Sequence, residues 1–174
     1  MKSDFCPATK ADSAIKGNCV CSAANTATDA SLANAIPGVN TDNALDNAPA
    51  MQVNIAKTRQ YYLSLRQEDL CDCAYCCCYC NQVRTAYPNL AAWLDSLGIA
   101  IEKPFEASAL EPDENGFLEY GVCQYVVFGS CPDDYRYEID EVQLRRSLSH
   151  PATGIVEQHF VLDIFSVRLP HASL

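Results

Sequence analysis

The chain has 174 residues, 49% of them hydrophobic, which is enough for one domain with a real core. Its formal charge is −10, with only 12 Lys and Arg and no basic stripe, so we expect neither nucleic acid nor an anionic membrane surface as a partner. No apolar run approaches the ~20 residues of a membrane-spanning helix. The first residues lack a signal peptide's apolar stretch, which predicts a bacterial-type cytoplasmic protein.

Residues 1–50 differ in composition from the rest of the chain. They are rich in Ala, Asn, Asp, Ser and Thr and have almost no aromatic residues. The few large apolar side chains in this segment cannot offset the conformational entropy of folding. We therefore predict a disordered arm with at most a short helix near 31–36. Cys19 and Cys21 lie in this arm and are interpreted as incidental thiols. A single α+β domain should then occupy residues 51–174.

Two helices are predicted in the first half of that domain. Residues 58–65 combine aromatic residues with weak alternation, which predicts a strand or an extended segment. Asp69 or Asp72 is expected to cap a helix that runs from about residue 73 to 86. Pro88 suits the first turn of a second helix, and Gly98 should end it. Its apolar residues recur at i, i+3, i+4 and i+7, namely Leu90, Trp93, Leu94 and Leu97.

The second half of the domain has the period of strands. An Asn115-Gly116 dipeptide favours a tight reversal and therefore a hairpin. The last strand is apolar on both faces in its middle, which is typical of a central strand. The predicted strands are 99–105, 117–128, 135–139, 142–148 and 155–169. The predicted fold class is therefore α+β, with two short helices followed by a mainly antiparallel sheet of about five strands.

Six of the 11 cysteines fall within residues 71–80. On a helix, Cys73, Cys76, Cys77 and Cys80 share one face, and Cys71 adds a Cys-x-Cys pair ahead of it. Thiolates that converge on one point bind soft cations such as zinc. Free N–H groups at the start of the helix are expected to lower the nearest thiol pKa values. We predict Cys71, Cys73, Cys76 and Cys80 as the ligands of a metal, with zinc as the expected ion, in a non-enzymatic module.

Other interpretations of this cysteine segment stay open. The cysteines can be small core residues of a structural or protein-interaction domain. Alternatively, Cys73 or Cys76 can serve a thiol-dependent enzyme or a redox sensor, although no Gly-rich phosphate loop or Gly-x-Ser-x-Gly elbow is present. Four-thiolate sites usually draw two ligands from a distant piece of chain. Cys123, Cys131 and His159 are the candidates for that second piece.

The motif Asp72-Cys73-Ala74-Tyr75-Cys76 is followed by Tyr87-Pro88 and by Leu97-Gly98-Ile99. Over about residues 60–169 the chain resembles an uncharacterised family of small Firmicute proteins, whose members read Asp-Cys-x-Tyr-Cys-x-Asn-Tyr and then have a helix ending in Leu-Gly. No activity is established for that family. Cys78 and Cys80 stand where the family has polar or aromatic residues. The resemblance therefore implies that Cys73 and Cys76 carry any shared site.

Overall fold

A computed structural model describes residues 51–171 as three α-helices and seven strands in one curled antiparallel sheet. The helices are α1 (Ile55–Ser64), α2 (Ala74–Ala86) and α3 (Pro88–Ser96), with a short 3-10 helix at Gln67–Asp69. The strands are β1 (Gln52–Val53), β2 (Glu106–Ala109), β3 (Phe117–Ser130), β4 (Arg136–Ile139), β5 (Val142–Arg146), β6 (His159–Phe165) and β7 (Val167–Pro170). The α+β fold class predicted from the sequence is confirmed. The predicted arm over 1–50, including Cys19 and Cys21, lies outside the described residues.

The long strand β3 organises the sheet. One edge of β3 pairs with β6 and β7, and the other edge pairs with β2 and β1. The sheet then continues from β6 through β5 to β4. The main hydrophobic core lies between this sheet and the helices, and its fully buried members include Tyr79, Leu90, Tyr125 and Leu162. No helix among residues 51–171 has both the length and the apolar character needed to cross a bilayer.

The predicted strand at 58–65 is wrong, because this segment belongs to α1. The Asn54 side chain caps the helix by accepting a hydrogen bond from the Lys57 N–H at 3.1 Å. Thr58 and Tyr62, one turn apart, are both buried, and their hydroxyl groups bond to β3. The Tyr62 hydroxyl donates to the Val126 carbonyl, and the Thr58 hydroxyl accepts from the Phe128 N–H. Helix α1 therefore covers the edge of β3 that β1 and β2 leave unpaired.

Two predicted strand boundaries are also corrected. Residues 99–105 form turns and irregular chain rather than a strand, and the first hairpin strand is β2. Its partner β3 follows the predicted turn, where the Asp113 side chain accepts from the Asn115 N–H. The predicted strand over 155–169 is divided into β6 and β7 at Ser166, where φ is 63°, but both strands pair with β3 in one continuous register. The central position predicted for this segment holds for β6, which lies between β3 and β5.

A chain of tyrosine hydrogen bonds fixes α2 on the sheet. Tyr79 is fully buried on the inner face of α2, and its hydroxyl lies 2.6 Å from that of Tyr125 on β3. The Tyr125 hydroxyl donates to the Ile101 carbonyl, also at 2.6 Å. A third bond runs from the Tyr120 hydroxyl to the Tyr75 carbonyl in the first turn of α2, at 2.6 Å. The start of α2, where the cysteines lie, is thereby tied to the rigid sheet.

Candidate metal centre

A cysteine caps the helix that carries the site. The residue at the N-cap of α2 is Cys73, whose Sγ accepts from the Cys76 N–H at 3.5 Å. The predicted Asp caps are therefore wrong. The Asp69 carboxylate instead accepts from the Arg66 N–H in the preceding 3-10 helix, at 2.8 Å. The capping bond places the Cys73 and Cys76 thiols side by side at the start of α2.

Three of the predicted ligands lie together. The Sγ atoms of Cys71, Cys73 and Cys76 all lie within 4.8 Å of one another. Cys71 is exposed in the loop ahead of α2, whereas Cys73 and Cys76 are half-buried. In a tetrahedral zinc site the sulfur atoms are about 3.8 Å apart, because each zinc–sulfur bond is about 2.3 Å. A contraction of about 1 Å or less would therefore bring the three thiols into contact with one ion.

The ionisation of Cys76 differs from the sequence-based expectation. Its pKa is raised far above the usual range by the hydrogen bond with Cys73, then by burial, and then by the charges of Cys73 and Cys71. The expected lowering by the helix N-terminus does not prevail at this residue, since the neighbouring thiols outweigh it. Cys76 therefore keeps its proton while either neighbouring thiol is ionised.

The other cysteines of the segment point elsewhere. Cys80, the fourth predicted ligand, lies outside the three-thiol group, and its Sγ donates to the Glu102 carbonyl at 3.0 Å. Cys77 donates to the Asp72 carbonyl, and Cys78 to the Pro170 carbonyl. A role for Cys80 as a ligand therefore stays a prediction.

The candidates for a distant second piece of the site do not join it. Cys123 is fully buried on β3 among core side chains, and burial raises its pKa to about 12. Burial also raises the pKa of Cys131, beyond the end of β3, to about 11. His159 bonds through its two ring nitrogens to the Thr153 hydroxyl and the Glu157 carbonyl. Among residues 51–171, the group of Cys71, Cys73 and Cys76 includes none of them.

Packing in the core involves only part of this segment. The buried residues of α2 are Tyr79 and Val83, which lie one turn apart on its inner face. Of the six cysteines between residues 71 and 80, one is exposed and five are half-buried. Cys78 packs against the core, but the three clustered thiols lie at its margin. Of the three, Cys71 is the one exposed to solvent.

A cavity of about 820 Å³ adjoins the cluster. Cys71, Cys76 and Cys80 form part of its wall, together with acidic residues from the 3-10 helix and β2. Apolar side chains such as Leu70 and Phe105 complete the lining. Its size falls within the range of small-molecule sites. The cluster therefore faces a space that a small ligand can enter.

Comparison of the chain with models of known protein families, with curated proteins and with solved structures finds no match. The likeness to the Firmicute family stays an expectation carried by short motifs. What the site can do follows from its own geometry and charge.

Proposed function

We propose that this chain is a small non-enzymatic module that binds a soft divalent cation, with zinc as the expected metal, through Cys71, Cys73 and Cys76. The observation that carries the proposal is that three sulfur atoms lie within 4.8 Å of one another at a helix N-terminus. Thiolates are the ligands that zinc and other soft cations prefer in proteins. The expected location is the reducing cytoplasm, which keeps such thiols available.

Three thiolates at this site are unfavourable without a metal and become favourable around a cation. In the absence of metal, a thiolate at Cys76 is disfavoured by the charges of Cys73 and Cys71, which raise its pKa. A divalent cation placed between the three sulfur atoms turns that repulsion into attraction and displaces the protons. Two donors compete for the fourth position of a tetrahedral centre: the Cys80 thiol and a molecule from the cavity.

Metal content is the direct test. The full chain is purified under reducing conditions without added metal and is analysed for zinc, iron and copper. We expect close to one metal ion per chain, lost in Cys76→Ser and retained in Cys78→Ser. Cys78 is the matched control, since it is half-buried on the same helix and its thiol contacts Gln82 and Pro170 rather than the cluster.

The opposite results are equally clear. Equal metal content in the two variants would refute the assignment of the site to the cluster. Absence of metal, combined with one or two thiols that react unusually fast at neutral pH, would favour the thiol-dependent enzyme or redox sensor using Cys73 or Cys76. Absence of metal with uniformly slow thiols would favour a structural or protein-interaction domain.

A further inference from the structure

The cavity and the cysteine cluster share a wall. Two of the three clustered thiols, those of Cys71 and Cys76, line the cavity, whereas Cys73 does not. Cys73 is held against the helix start by its capping bond. An ion among the three sulfur atoms would therefore have protein on the Cys73 side and the cavity on the other. Zinc sites with three protein ligands and one open position bind a solvent or substrate molecule there.

The Cys80 thiol is poorly placed to close that position. It lies one helical turn beyond Cys76, about 6 Å further along the axis of α2. Its Sγ donates to the Glu102 carbonyl at 3.0 Å, so ligation would break this bond as well as remove the proton. The exposed Cys71 reaches the cluster from the loop ahead of the N-terminus of α2. Cys80 also lines the cavity, but its bond to Glu102 and its distance along the helix favour an external donor on the cavity side of the centre.

The charge of the cavity selects the kind of donor. Its wall contains the carboxylates of Glu68, Asp69, Asp72 and Glu106, and no lysine or arginine among the described residues lines it. Arg66 pairs with the first two of these carboxylates, at 2.5 and 3.7 Å. Three thiolates around one divalent cation add a net charge of −1. An anionic donor would meet this negative wall at short range, whereas a neutral nitrogen donor would not.

We propose that the fourth position of the metal centre is open to the cavity and takes an external ligand with a neutral nitrogen donor, such as an imidazole or an amine, rather than Cys80. This inference rests on the proposed metal binding by Cys71, Cys73 and Cys76. The apolar part of the cavity wall, at Leu70 and Phe105, then receives the carbon skeleton of the ligand.

Cobalt(II) in place of zinc makes the centre visible in solution. The full chain is loaded with one equivalent of cobalt and titrated with imidazole and, separately, with acetate of the same concentration range. We expect imidazole to shift the visible d–d bands with saturation, and to bind at least tenfold more tightly than acetate. The thiolate-to-cobalt charge-transfer band should persist throughout, which excludes removal of the metal. Cys80→Ser should keep the intensity of that band and the response to imidazole.

Each contrary result identifies what failed. A wild-type spectrum without a thiolate-to-cobalt band would overturn the proposed metal binding, and this inference with it. A normal band that imidazole leaves unchanged, together with loss of about a quarter of its intensity in Cys80→Ser, would identify Cys80 as the fourth ligand and overturn only the open position. Acetate binding as tightly as imidazole would overturn the selection by charge.

Discussion

Replacing Cys73 by serine separates its observed role as the helix cap from its proposed role as a metal ligand. Serine is among the best N-cap residues, and its hydroxyl can accept from the Cys76 N–H in place of the sulfur, which does so at 3.5 Å. The metal-free Cys73→Ser protein should therefore be as stable as the wild type, or more stable by up to about 1 kcal/mol. Cys73→Ala removes the cap as well and should cost about 1 kcal/mol.

The effect on the metal has the opposite sign. Structural zinc sites contribute roughly 10–16 kcal/mol of apparent binding free energy, so one ligand of four accounts for about 3 kcal/mol, or a factor of about 100 in affinity. At a free zinc concentration of 100 times the wild-type Kd, zinc should stabilise the wild type by about 2.7 kcal/mol. For Cys73→Ser the same concentration equals the Kd, and the stabilisation should fall to about 0.4 kcal/mol.

Urea denaturation with and without zinc, in a phosphine reductant, measures both quantities for the wild type, Cys73→Ser and Cys73→Ala. Cys78→Ser shows how much zinc binding by cysteines outside the cluster contributes, since its thiol contacts Pro170 instead. If zinc stabilises Cys73→Ser as much as the wild type, Cys73 is not a ligand of the metal. Equal losses of metal-free stability in the serine and alanine variants would refute the capping role.

Three further predictions concern the fold that supports the site. Tyr125→Phe should lower the free energy of unfolding by about 1–3 kcal/mol in urea titrations, because it leaves the Ile101 carbonyl and the buried Tyr79 hydroxyl without this partner. The control variant Tyr137→Phe, on β4, should change the free energy of unfolding little. Gly98→Ala should lower the Tm of the protein by more than Gly154→Ala does. Both glycines have a positive φ, but only a Cβ at residue 98 would meet backbone atoms of α1, at 2.7 and 2.9 Å. Equal Tm shifts in the two variants would contradict this reasoning. Burial raises the pKa of Cys123 to about 12, against about 8.5 in an unfolded chain. The contribution of its neutral thiol to the stability of the fold is therefore complete below about pH 8.5 and is lost as the pH rises toward 12. Between about pH 8.5 and 10.5 the free energy of unfolding of the wild type should fall by about 2 kcal/mol more than that of Cys123→Ala. Parallel pH profiles of the two proteins would show that burial does not raise the pKa of this thiol.

Long periodic segments were predictable from the sequence. The apolar spacing of α3, its Pro88 start and its Gly98 end all match the structure, because a helix on the surface of a core needs that stripe and those ends. The segment at 58–65 was mispredicted as a strand. Its buried residues, Thr58 and Tyr62, are polar or amphipathic and bond to the backbone of β3, and only the three-dimensional partner reveals why they face inward.

The candidate site was predictable only in part, for a related reason. Helical periodicity groups Cys73, Cys76, Cys77 and Cys80, but a thiol ahead of the helix is placed by its loop and by the cap, which periodicity does not describe. The observed group contains Cys71, Cys73 and Cys76, and Cys77 and Cys80 lie outside it. Spacing on a helix fixes the direction of a side chain to within one face, whereas a metal needs sulfur atoms at one point.

The position of the cluster suits the proposed metal centre, because the cluster is held in place by the sheet and is exposed at Cys71. The first turn of α2 is tied to β3 by the bond from the Tyr120 hydroxyl to the Tyr75 carbonyl, so Cys73 and Cys76 have little freedom to move apart. Cys71 lies outside this turn and is exposed. Two fixed thiols and one exposed thiol would let a metal enter the proposed centre from solvent without unfolding the helix. A centre buried under α2 would instead require the helix to leave the sheet, at the cost of the tyrosine bonds that hold it there.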